Sequence, residues 1–266
     1  MNEKKYEWEP ENYTKNSSTQ YQYAMEIIPK LNLTGHESVL DIGCGDGKIS
    51  RQLKQLLPKG EVVGIDASEK MVDFARKTHQ TSDREGISFY VMDASRIVFD
   101  RKFDVVFSSS ALHWVKDQPA VLRGVKQCMK AGGRLFFQMS GQGSMEKMLL
   151  AFVSLLNDQK WKPYFSEIHF SGGFYTETQY REWLLEAGFT PLRVERVRKA
   201  IAFKEKKDLE GHIKAAWHPI TERVPEAHRD AFVSDLVGRY LEIVPVNEDG
   251  LPWAEAVRLE VEAVRP

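Results

Sequence analysis

A chain of 266 residues, 42% of them hydrophobic, is long enough for one large α/β domain with an elaboration or for two small domains, and it carries no disordered bias. Its formal net charge of −1 offers no bulk attraction to nucleic acid or to an anionic membrane, so neither is an expected partner. No apolar run approaches the ~20 residues of a bilayer span, MNEKKYEWEPENYTKN has no signal-type apolar region, and Cys44 and Cys128 make no disulfide framework, so a reduced, cytoplasmic monomer or homodimer is expected.

Taken in chain order, Tyr13-Thr-Lys-Asn16-Ser-Ser-Thr-Gln20 leads into an amphipathic helix expected to pack Tyr21, Met25 and Ile28 on the domain. Strands are predicted at Ser38–Ile42, Glu61–Ile65, Ile87–Met92, Phe103–Ser108 and Arg134–Met139, each a short apolar run followed by turn residues, as buried parallel strands are. Between them lie helical patterns at Lys48–Leu57, Glu69–Thr78 (N-cap Ser68) and Gln118–Cys128, the last stopped by Lys130-Ala-Gly-Gly133. This alternation predicts a doubly wound α/β fold with a mainly parallel sheet and its ligand at the carboxyl ends of the strands. After Ser140 the pattern changes. A helix is predicted over Met145–Leu156, and an aromatic connector (Trp161, Tyr164, Phe165, His169, Phe170) reads as pocket lining or as local core. A helix over Thr176–Ala187 precedes a strand-like Leu192–Phe203, and the basic set Arg193, Arg196, Arg198, Lys199, Lys204, Lys206 and Lys207 reads as a solvated sheet edge or as an attraction for an acidic substrate. Helices follow at Lys207–Trp217 and Glu226–Ile243. Val257–Ala263 alternates apolar residues with Arg258, Glu260 and Glu262, which predicts a half-exposed final strand.

The richest stretch is Val39-Leu40-Asp41-Ile42-Gly43-Cys44-Gly45-Asp46-Gly47, a strand running into a glycine loop that opens a helix. A second strand delivers Asp66, 23 residues after Gly43, where a carboxylate can grip a ribose. A dinucleotide fold reads G-x-G-x-x-G; here Lys48 stands where the third glycine belongs, and Asp41 and Asp46 suit a cationic tail better than a diphosphate. NAD is the alternative cofactor. VLDIGCGDG and GIDAS resemble the first two motifs of the class I S-adenosylmethionine-dependent methyltransferases. Ser108-Ser-Ser-Ala-Leu-His113-Trp114-Val115, at the end of the fourth strand, resembles the same segment in the small-molecule branch that includes trans-aconitate and juvenile hormone acid methyltransferases.

The resemblance implies a seven-stranded sheet of order 3-2-1-4-5-7-6 with the last strand antiparallel. Residues 1–140 would hold the N-terminal helix and the cofactor half, and residues 141–266 the rest of the sheet with a helical substrate lid. It implies S-adenosyl-L-methionine as cofactor, with Asp41, Gly43, Cys44, Gly45 and Gly47 around the methionine part and ribose. Asp66 and Ala67 would lie at the ribose hydroxyls, Met71 on the adenine, Asp93 and Ala94 at the adenine amino group, and Ser109 among the small residues of the fourth strand end. Tyr13 would lie near the sulfonium, where an aromatic face favours a cation. The alternative reading of Asp93 is an ordinary turn or N-cap carboxylate. Trp114 and Gln20 supply N–H donors suited to a carboxylate, although each also reads as core. His113 reads either as a general base or as a structural histidine. No His/Cys/Asp/Glu spacing suggests a metal. The expected reaction is O-methylation of a small-molecule carboxylic acid. The alternatives are methylation of a hydroxyl, amine or carbon centre with His113 as base, and a non-catalytic cofactor-binding protein.

Overall fold

A computed structural model of the chain describes residues 8–80, 86–166 and 173–266; His169 and Phe170 of the aromatic connector lie outside the described residues. The strands β1 (Ser38–Ile42), β2 (Glu61–Asp66), β3 (Ile87–Val91), β4 (Phe103–Ser109), β5 (Met129–Ser140), β6 (Thr190–Ala202) and β7 (Trp253–Val264) form one sheet in the order β3-β2-β1-β4-β5-β7-β6. β1 runs parallel to β2 and β4, β2 to β3, and β4 to β5, whereas β7 is antiparallel to β5. This is the order that the family resemblance implies. The helices are α1 (Pro10–Asn16), α2 (Ser18–Ile27), α3 (Lys48–Gln55), α4 (Glu69–His79), α5 (Gln118–Cys128), α6 (Glu146–Leu155), α7 (Glu177–Glu186), α8 (Lys206–Ala216), α9 (His218–Thr221) and α10 (Glu226–Ile243).

Two compact units divide the chain. The first comprises Met1–Gln142, Ser171–Val197 and Arg258–Pro266. Because successive strand residues face opposite sides, this unit has two cores. Val39, Val62, Val105, Phe107 and Phe136 pack with Ala24 and Ile27 of α2, Leu53 of α3, and Val72 and Ala75 of α4. On the other face Leu40, Ile42, Val63, Val106, Leu135 and Phe137 meet Val121, Leu122 and Val125 of α5 and Tyr180 and Leu184 of α7. Fully burying a Val, Leu or Phe stabilises by about 1.5–3 kcal/mol relative to exposure, so these two layers fix the sheet between helices. The N-terminal helix is broken at Ser17 into α1 and α2, and its buried face is Ala24, Ile27 and Ile28, with Tyr21 and Met25 only half-buried.

The final strand corrects an expectation. Val257, Leu259, Val261 and Ala263 are buried as the alternation predicts, but so are Arg258 (3% exposed) and Glu260 (1%). β7 is interior because β6 occupies the edge. Its charges are tolerated there because each has an opposite partner, which buried ions require. Arg258 Nη2 donates to Glu26 of α2 at 2.9 Å, and Glu260 accepts from Lys30 at 3.0 Å and from Arg193 of β6. Arg193 and Arg196 are therefore not a bare solvated edge: Arg196 pairs with Glu177.

The second unit comprises Gly143–Phe170 and Arg198–Val257. Phe152, Trp161, Phe165, Leu209, Ile213, Phe232 and Leu236 form its core, and the Trp161 indole donates to Asp235 at 3.0 Å. Trp161 and Phe165 are thus core residues, not pocket lining. Among the described residues, no helix is long and apolar enough to cross a membrane.

Candidate active site

Strand order reverses between β1 and β4, and in such sheets the crevice at the strands' carboxyl ends receives ligands. The loop after β1 lies there. Gly43, Gly45 and Gly47 have φ of +75°, +55° and +81°, which side-chain-bearing residues rarely adopt. Gly43 N and Cys44 N both donate to Ile65 O, at 2.7 and 3.0 Å, stitching the loop to β2. Asp66, at the end of β2, accepts from Gly45 N (3.0 Å) and Ser68 N (2.9 Å) on different oxygens. Each carboxylate oxygen keeps a further lone pair for a ligand hydroxyl. Asp41 accepts from Ser50 Oγ at 2.6 Å, and Asp46 from Thr14 Oγ1 at 3.0 Å. The Cys44 side chain is buried in the core, close beside the backbone of Gly64, so only its backbone belongs to the loop's ligand face.

The N-terminal segment covers this loop. A Cβ at Gly45 would lie 3.4 Å from Met71 Cε and 3.6 Å from the Tyr13 ring, so these three residues wall one cradle. Lys70 pairs with Glu9 at 2.6 Å, which with Thr14 ties α1 to α4 and the loop. Trp8 stands with its ring 5.8 Å from that of Tyr13 and 6.0 Å from that of Trp114. The sequence reading missed Trp8, which precedes any periodic pattern; its spacing before the Pro10 helix start was the one available signal.

Trp114 and His113 lie on a 3-10 turn, Leu112–Trp114, directly after β4. Gln118, wholly buried, donates to Leu112 O and Val115 O at 2.7 Å each and accepts from Tyr180 OH, which fixes that turn to α5 and α7. His113 O accepts from Gly173 N at 2.9 Å, while its buried Nδ1 has no partner. Burial pushes the imidazole pKa down to about 4. Ser109 Oγ donates to Gln138 Oε1 at 3.3 Å. Gln20 lies on α2 with a buried, unpartnered Oε1. Asp93 is exposed after β3 and caps a short turn by accepting from Ser95 N at 2.8 Å, with Ala94 beside it and Ala67 exposed after Asp66. The structure thus brings Tyr13, the glycine loop, Asp41, Asp46, Asp66 and Met71 into one cradle. The turn carrying Trp114 connects to it through Trp8.

The chemistry of that cradle suits a cation with a nucleoside. Burial raises the pKa of Asp41 to about 7, partly offset by Ser50 and increased by the Asp66 charge. Burial likewise raises Asp66, against the hydrogen bonds it accepts, and Tyr13 is raised by burial and then by Asp46, Asp66 and Asp41. Carboxylates crowded this closely gain from a positive ligand. One consequence concerns stability. The folded chain holds the Asp41 proton up to about pH 7, well above its ordinary 3.8, so raising pH through that window costs stability, in full above pH 7. Asp41→Asn is expected to melt several degrees above the wild type at pH 8, with the gap closing below pH 4, as calorimetry across pH would register. A gap independent of pH would contradict a raised Asp41.

A family model described as "Methyltransferase domain" matches residues 33–187. An uncharacterized methyltransferase of Schizosaccharomyces pombe is 30% identical over 210 residues, covering 72% of this chain and 74% of its own. Juvenile hormone acid O-methyltransferase of Drosophila melanogaster is 25% identical over 215 residues, covering 76% and 70%. In fold, the chain is similar to phosphoethanolamine N-methyltransferase 2 of Haemonchus contortus, solved with S-adenosyl-L-methionine: TM-score 0.60, 20% identity, 96% of this chain and 56% of that one. These matches set aside the dinucleotide alternative, and the chain belongs to the methyltransferase-domain family, as a class I S-adenosylmethionine-dependent methyltransferase.

Proposed function

We propose that the protein esterifies the carboxylate of a small-molecule acid, and that it does so in the cytoplasm, where its buried free thiols Cys44 and Cys128 stay reduced. When bound, S-adenosylmethionine supplies a methyl group on a sulfonium, so that attack by a carboxylate oxygen forms the C–O bond, breaks the S–C bond and leaves a neutral thioether. Asp66 would hold the ribose, Met71 the adenine, and Tyr13 with the loop carboxylates the cationic end. Trp114 and Gln20 would turn their N–H donors to the acceptor. Alignment of that kind is worth effective molarities of ~10⁵ M or more.

The observation that carries this reading is His113. It is the one titratable side chain in Ser108–Val115, and with a pKa of about 4 its imidazole is a weak base. General bases work best with a pKa near the operating pH. An acid is already ionised at pH 7 and needs none. The Drosophila relative, named for O-methylation of an acid, supports the same acceptor chemistry. The second reading, a hydroxyl, amine or carbon acceptor with His113 as base, draws on its unpartnered Nδ1.

A labelled-methyl screen over mono-, di- and tricarboxylic and long-chain acids, with alcohols and amines alongside, tests the two. The expected result is label incorporated only when an acid is present and released as methanol by alkali, a kcat flat between about pH 6 and 9, and His113→Gln within a few-fold of wild type. A limb near pH 6–7 that disappears in His113→Gln would overturn the carboxylate reading.

A further inference from the structure

Buried polar atoms without partners are rare in folded chains, and most of those among the described residues here gather in one place. Under α2, at the end of the sheet where β5 finishes, Arg258 Nε and Nη1, Gln138 Nε2, Tyr23 OH and Gln20 Oε1 are all buried and unpartnered. The register puts them together. Ser140 pairs with Arg258 and Gln138 with Glu260 across β5 and β7, so Gln138 and Arg258 are diagonal neighbours on one face. The Arg258 guanidinium stacks 4.3 Å over the Tyr23 ring, and Tyr23 lies one helical turn from Gln20. Gln138 is also the partner of Ser109, at the mouth of β4.

The guanidinium is 4% exposed yet spends its pairing on a single nitrogen. Nη2 meets Glu26 at 2.9 Å and Glu260 at 3.7 Å. Glu260 is already shared with Lys30 and Arg193. An arginine carries five N–H donors in a rigid fork, so three of its donors face no acceptor. Tyr23 adds an O–H that burial keeps protonated, its pKa pushed up to about 12 against the pull of Arg258. Gln138 adds an amide N–H₂. Three donor groups, one of them a guanidinium that keeps three N–H bonds unused after pairing with Glu26, lie together where Gln138 meets Ser109 at the mouth of β4, and they describe a receptor for an oxygen-bearing acceptor group.

We infer that Arg258, Gln138 and Tyr23 bind the anionic group of the acceptor acid and set the enzyme's preference for acids over their neutral analogues. This rests on the acid reading above. It adds a specificity determinant from the last strand, more than 100 residues beyond Trp114.

The test is calorimetric binding of citrate, succinate and decanoate to the full chain saturated with S-adenosylhomocysteine, with each acid's neutral amide as control. Wild type is expected to bind at least one acid and to discriminate against its amide. Arg258→Met should weaken that acid about 30-fold or more and erase the discrimination, while S-adenosylhomocysteine affinity changes less than about twofold. Tyr23→Phe and Gln138→Leu leave the Glu26 pair in place and should each weaken the acid by roughly 3–10-fold, so they decide the matter if Arg258→Met does not fold. An acid bound equally by wild type and by all folded variants, with water alone satisfying these atoms, overturns the inference and leaves the acid reading standing. Failure of every acid to bind or be methylated, while an alcohol or amine is methylated, overturns both.

Discussion

Replacing Asp66 by alanine is expected to weaken S-adenosylmethionine binding about a hundredfold or more, measured by calorimetry on folded protein. The carboxylate has two tasks. It would accept from the ribose hydroxyls, where each hydrogen bond to a charged group is worth about 1.5–3 kcal/mol. It also accepts from Gly45 N and Ser68 N, holding the loop to the start of α4. Alanine removes both, leaving two backbone donors to water and the loop free to drift from its bound form. Asp66→Asn keeps one carbonyl oxygen and should lose less. If alanine bound as tightly as wild type, the ribose role would be wrong. If asparagine lost as much as alanine, charge rather than hydrogen bonding would be the main contribution.

Gly43→Ala should damage the fold itself. A methyl group there would stand 2.1 Å from Ala111 Cβ, far inside contact distance, at a φ of +75°. Overpacking costs about 1–3 kcal/mol and a left-handed residue with a Cβ about 1–2 more. Together these predict a melting temperature lower by roughly 10 °C and loss of cofactor binding, because the loop after β1 and the turn after β4 must separate where they now touch. Ala111→Gly in the same chain would remove the overlap and should recover part of the loss. A double variant no more stable than Gly43→Ala would mean that backbone strain, not crowding, dominates.

The half of the chain before Ser140 was legible because its signals are local. An apolar strand, a glycine turn and an amphipathic helix each announce themselves within ten residues, and β1 to β4 and α3 to α5 lie within a few residues of where the pattern puts them. Asp66 and the glycines could be found for the same reason. β7 was misread because alternation of charge with Val257, Leu259 and Val261 looks the same whether the polar face meets water or meets partners. What buries Arg258 and Glu260 is Glu26, Lys30 and Arg193, remote in sequence. Gln138 and Tyr23 were overlooked on similar grounds: their interest lies in unpaired atoms, which no spacing rule reveals. The aromatic connector was ambiguous between pocket and core, and only the packing of Trp161 and Phe165 against Phe232 decides it.

The union of α2 with β7 has a bearing on how the chain matures. Glu26 and Arg258 are 232 positions apart, and Lys30 and Glu260 are 230 apart. Synthesis runs from the N-terminus, so the helix that carries Gln20 and Tyr23 emerges more than 200 residues before its ionic counterparts on β7. Contacts of such long range form late. The loop after β1 and the start of α4 can therefore assemble on a nascent chain well before α2 meets β7.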